Sequence, residues 1–119
     1  MSSARGQRIQ ANCKIIWGNY EYDLEIETDD YVDYMCHVKK DFGDSFGSPL
    51  TMTSLCPSEE AAWVELDRML ELWAKQVKRR TPMTKDERLE IFGGYRGKHK
   101  KVLSGFIDVF EKREGAKAA

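Results

Sequence analysis

Histidine and cysteine are scarce in this 119-residue chain: there are two His and three Cys, and no C-x-x-C pair. A structural zinc site needs about four such ligands at short spacings, so no metal and no cofactor is expected. Cys13, Cys36 and Cys56 are odd in number and far apart, which fits a reducing compartment rather than a disulfide framework. No stretch approaches the ~18 apolar residues that span a bilayer. The opening Met-Ser-Ser-Ala-Arg-Gly-Gln-Arg leads into no apolar segment of the secretory type. The expected location is therefore cytoplasm or nucleus, with no membrane partner. Net charge is also nearly missing, at −1.

That balance conceals a split. Residues 1–74 hold six Lys/Arg against fourteen Asp/Glu, and residues 75–119 hold thirteen against six, so −8 offsets +7. Two electrostatically opposite faces bear on partners rather than on fold. The apolar fraction of 41% and aromatic fraction of 11% are globular values, enough for one core.

The pattern predicts a single α+β domain over residues 12–113, between a flexible arm (1–11) and a frayed tail (114–119). Residues 12–17 and 20–27 flank Gly18-Asn19, a two-residue hairpin turn. The second arm alternates strictly, with Tyr20, Tyr22, Leu24 and Ile26 on one face and Glu21, Asp23, Glu25 and Glu27 on the other. Pairing across the turn sets Trp17 against Tyr20, Ile15 against Tyr22, Cys13 against Leu24 and Lys14 against Asp23. After a turn at Asp29-Asp30, residues 31–39 alternate again, with Val32, Tyr34, Cys36 and Val38 inward. A Gly/Ser-rich loop over 42–49 leads to a short strand at 50–55, completing a three- or four-stranded antiparallel meander.

Helical spacing then takes over. Ala62, Leu66, Met69, Leu70, Trp73 and Val77 form a stripe about 100° wide over residues 57–79, suited to cover the sheet. Thr84-Lys85-Asp86-Glu87 is a capping box for a helix over 85–92, stopped by Gly93-Gly94. A last helix over 97–113 carries Val102, Leu103, Phe106, Val109 and Phe110 on one side. Trp17, Trp63 and Trp73 are the expected anchors of the core.

The order of strands followed by a long helix, over residues 12–77, is similar to the latter part of a double-stranded-RNA-binding domain. That family opens on a helix, which the short polar segment 1–11 does not supply. Its run of Lys after the last strand is matched here by Ser58-Glu59-Glu60, so the phosphate-contacting positions do not carry over.

Three functional readings follow. The first is a non-catalytic interaction module, self-associating through its acidic and basic faces or gripping a protein partner. Its contact candidates are Tyr31, Met35, Phe42 and Phe46, aromatic or thioether side chains on a loop or on the sheet face away from the core. The second is a nucleic-acid binder using Lys78, Arg79, Arg80, Arg96, Lys98, Lys100 and Lys101, with Lys75 beside them and Tyr95 able to stack. The segment is not a P-loop: only three residues separate Gly93 from Gly97, and His99 stands where Ser/Thr belongs. The third is a small-molecule site or enzyme between sheet and helices. It is the weakest, because Cys36 and His37 are adjacent on a strand and point to opposite faces. Asp33 is the one local carboxylate expected to orient His37. No catalytic residue is assigned.

Overall fold

The computed structural model describes residues 3–29 and 32–118, and side chains within 3–28 and 32–113. Its elements are α1 (Ala4–Trp17), β1 (Glu21–Asp29), β2 (Asp33–Asp41), β3 (Thr51–Met52), α2 (Glu59–Lys78), α3 (Lys85–Phe92) and α4 (Lys100–Ala118), with a single 3-10 turn at Tyr95–Gly97. The strands form one antiparallel sheet in the order β1-β2-β3. This is the α+β class that the sequence predicts, with three strands of the three or four expected.

The opening of the chain differs from expectation. Residues 4–17 are neither an arm nor a strand but one helix. Ser3 caps it, its Oγ accepting from the Gly6 N–H at 2.9 Å. Ile9, Cys13, Ile16 and Trp17 recur at i, i+4, i+7 and i+8 and face the core. Cys13, Ile15 and Trp17 also satisfy a period of two, which is why the segment reads as a strand. Two ion pairs to α2 favour the helix: Arg8 reaches Asp67 (2.9 and 2.5 Å) and Arg5 reaches Glu60 (2.6 Å). Gly18 then ends α1 instead of turning a hairpin. At φ 109° it occupies backbone space closed to other residues, and its N–H donates to the Lys14 carbonyl.

The hairpin lies one segment later. In β1–β2, Leu24 pairs with Val38, Ile26 with Cys36, Asp23 with Lys39 and Glu25 with His37. Lys14 thus has no strand partner, and Lys39 takes the place opposite Asp23. Tyr34, Cys36 and Val38 face inward as predicted, but Val32 precedes the strand and is exposed. The predicted strand at 50–55 shrinks to Thr51–Met52 plus an isolated bridge between Cys56 and Tyr34. Asp30 and Tyr31 lie outside the described residues.

α1 and α2 cover the sheet's apolar face. Ile9, Cys13, Tyr22, Cys36, Val38, Cys56, Ala62, Leu66 and Leu70 make the core. The order helix, three antiparallel strands, helix is therefore complete over residues 4–78. α3 and α4 follow it. The residues expected to form a frayed tail, 114–118, continue α4.

An aromatic column ties the helices together. Trp73 meets Trp17 edge-on at 5.0 Å and Phe92 edge-on at 4.9 Å, joining α1, α2 and α3. All three rings are only half-buried. We expect Trp73→Ala to lose about 3 kcal/mol in urea unfolding; a loss below about 1 kcal/mol would show that the column is not a support.

Burial pushes the Cys13 thiol up from 9.0 to about 12, and the Cys36 thiol likewise to about 12. Both are protonated small hydrophobes in the folded state. Between pH 9 and 12 the unfolded chain releases protons that the folded chain keeps, so stability falls as pH rises through that window. Urea midpoints should decline above pH 9, and the decline should be shallower in Cys13→Ala by up to about 1.4 kcal/mol per pH unit. An unchanged slope would mean that this thiol ionises in place.

Candidate interaction surfaces

Three surfaces have the composition of contact sites: the basic turn before α4, the outer face of the sheet, and α4 itself.

The basic turn is held from below. Arg68 on α2 donates to buried Glu65 at 2.7 and 3.0 Å. It also donates to the Glu90 and Ile91 carbonyls at 2.6 and 3.2 Å, so one guanidinium serves a buried carboxylate and the open end of α3. Hydrogen bonding to Glu65 raises the Arg68 pKa further. Beyond α3, the Tyr95 N–H donates to Ser54 Oγ at 2.8 Å and the His99 N–H to the Gly93 carbonyl at 2.7 Å. Gly94 is required there: its φ is 88°, and a Cβ would lie 2.6 Å from the His99 ring. Arg96 adopts φ 56° and lays its guanidinium over the Tyr95 ring, 5.4 Å from the centroid.

Arg96, Lys98, Lys100 and Lys101 are consequently neighbours on one exposed turn. Arg79 pairs with Glu87 and Lys100 pairs with Glu90, at 3.2 Å. Glu87 and Glu90 are three residues apart on α3, about 5 Å along its axis, so the two cations reach neighbouring carboxylates. Arg68, Glu65, Glu90, Arg96 and Lys100 share an open cavity of about 300 Å³ in which cations and carboxylates alternate. Removing Arg68 would leave Glu65 buried and unpaired. Arg68→Ala should therefore cost about 3 kcal/mol in thermal or urea unfolding, and restoring polarity balance with Glu65→Gln should recover part of it. Equal stability of Arg68→Ala and wild type would remove this account of the turn.

The outer sheet face presents Glu21, Asp23, Glu25 and Glu27 from β1, with Met35, His37 and Lys39 opposite on β2 and Met52 on β3. His37 is only 5% exposed although it lies on this face, because the glutamates and the neighbouring side chains close over it. Its Nε2 sits 3.1 Å from Glu27 Oε1 and 3.6 Å from Glu25 Oε2; these carboxylates flank it, and Asp33 is not its ion-pair partner. Lys39 reaches Glu25 at 3.5 Å. Burial first, and then Glu25, raise the Asp23 carboxyl above its usual range. Met35 is half-buried here.

Phe42 and Phe46 are exposed on the turn at the far end of β2. Phe42 stands edge-on to Tyr20 at 6.3 Å, with Lys40 Nζ 4.1 Å above the Tyr20 ring. Six residues of strand, about 20 Å, separate Met35 from Asp41 at the start of this turn. Phe42 and Phe46 therefore do not join Met35 in one patch. Tyr31 lies outside the described residues.

The surface that the sequence pattern missed is α4. Its apolar side reads as core, yet among its described side chains only Ile107 is buried, with Leu103 half-buried beside it. Val102, Phe106, Val109 and Phe110 are 60%, 70%, 53% and 62% exposed. The side of the helix explains the difference. α4 runs back along α3: Lys100 pairs with Glu90 and Asp108 with Lys85, the first residue of α3, at 2.6 Å. Within that span Ile107 is buried, while Val102 and Phe106 are exposed on another side of α4. Gly105 borders the stripe with nothing within 4 Å of where its Cβ would be.

No protein-family model, no curated protein and no solved structure matches this chain.

Proposed function

We propose that this chain is a non-catalytic protein–protein interaction module whose docking element is α4. The observation that carries the reading is the row Val102, Phe106, Val109 and Phe110, four large apolar side chains more than half exposed on one helix. Apolar side chains at i, i+4, i+7 and i+8 are the anchors by which a helix enters a partner's groove or covers a partner's sheet. Gly105 beside them costs about 1 kcal/mol relative to Ala, an expense that packing within the chain does not offset. A closely approaching partner backbone would.

The reactive groups are scattered rather than convergent. The thiols are protonated in the core, and His37 lies on the other side of the sheet under two glutamates. Three free thiols accord with a reducing compartment, cytoplasm or nucleus. The nucleic-acid reading rests on Arg96, Lys98 and Lys101 and has less support. Arg79 and Lys100 are paired with carboxylates, and the start of α2 carries Glu59 and Glu60.

The test is a photo-crosslinking amino acid at position 109, with position 71 on the exposed side of α2 as the control, in cell extract. We expect discrete protein adducts at 109 that are absent at 71 and lost on adding Phe106→Glu and Phe110→Glu. Adducts to RNA would favour the nucleic-acid reading, and no adducts at 109 would remove α4 as the docking element.

A further inference from the structure

Independently of the exposed row on α4, we infer that the cavity where α2, α3 and α4 meet binds a fatty acid, with its carboxylate on Arg88. The cavity is open, holds about 390 Å³ and is lined by Trp73, Met83, Arg88, Phe92, Leu103 and Ile107. That volume falls within the ~300–1,000 Å³ of small-molecule sites, which are mostly apolar with a few placed polar groups. Here five apolar side chains surround one cation.

Two ion pairs frame the space. Lys85 to Asp108 and Lys100 to Glu90 fasten α4 to α3 at 2.6 and 3.2 Å, and Leu103 and Ile107 fall between the fastened positions. Trp73 and Phe92 meet edge-on at 4.9 Å and are half-buried, with part of each ring bordering the cavity. Arg88, one turn after Lys85, is exposed and makes no ion pair and no side-chain hydrogen bond among the described residues. Asp108 of α4 is taken by Lys85. Other cavities differ in this respect. The one beneath the basic turn and the one between α2 and α3 mix cations with carboxylates, whereas no carboxylate lines the cavity beside Arg88.

These features select the ligand. One unpaired guanidinium calls for one negative charge, and a carboxylate matches its fork of donors. Because Arg88 is exposed, the head group keeps part of its hydration while the apolar body leaves water. The edge-on rings offer no slot between parallel faces for a planar aromatic acid, so a flexible aliphatic chain is the better fit to the wall.

The test is an NMR titration of the full chain, with labelled Ile, Leu and Val methyls and Trp indoles, using decanoate and decanol up to about 1 mM. Decanoate should move the Leu103 and Ile107 methyls and the Trp73 indole saturably. Trp63 is the internal reference, since it lines a separate cavity with Ile9 and Leu24. Decanol should bind about fivefold more weakly, and Arg88→Gln should lower decanoate affinity by about the same factor, the range of an exposed ion pair. Arg88→Lys should keep the preference for decanoate over decanol. Equal wild-type affinity for the two probes, or equal decanoate affinity in wild type and Arg88→Gln, overturns the assignment. So does an absence of saturable shifts. Shifts confined to the Val102 and Val109 methyls also overturn it, because they place the chain on the exposed row of α4 instead. The crosslinking result at position 109 is independent of all these outcomes.

Discussion

Everything outside the sheet depends on how Trp73 is used. Its ring stands between Trp17 and Phe92, so the end of α1 and the end of α3 are both positioned from the middle of α2. One side chain thereby couples the helix–sheet body to the C-terminal pair of helices. Arg68 makes a second, polar connection about one turn from it, satisfying Glu65 and the last carbonyls of α3 together. α3 is held at both places, and α4 lies along it through the Lys100–Glu90 and Lys85–Asp108 pairs.

Legibility in the sequence followed the number of independent signals at each segment. The capping box at Thr84–Glu87 forms as the residues imply, with both reciprocal hydrogen bonds present. The stripe of α2 and the alternation of β1 and β2 were also readable, because each extends over many residues of one period. α1 was not. Cys13, Ile15 and Trp17 fit a strand, and the arginines that settle the matter act on Asp67 and Glu60, more than fifty residues away in sequence. A local pattern carries no information about such partners. Gly18-Asn19 misled for a related reason, since a glycine at positive φ ends a helix as readily as it turns a hairpin.

The surfaces were legible in kind but not in placement. The acidic side of β1 is an outer face, as its alternation implies, and the carboxylates flanking His37 follow from strand register. Arg79 and Lys100 reach carboxylates one turn apart on α3, a fact of packing that charge counting does not contain. The exposure of α4 was hidden most completely. Its apolar periodicity is that of a buried helix, and which side of it meets α3 is not written in that periodicity.

The three cysteines have a consequence for what happens when the fold opens. All are buried and free, and burial holds each thiol above its ordinary pKa, so the native chain presents no nucleophilic sulfur to an oxidant. In the unfolded chain the same sulfurs regain ordinary acidity and solvent access. Oxidation therefore selects unfolded molecules, and any disulfide formed there must be reduced before Cys13, Cys36 and Cys56 can return to the core as free thiols. Redox conditions act on this protein as a ratchet on refolding rather than as a modifier of its native surface.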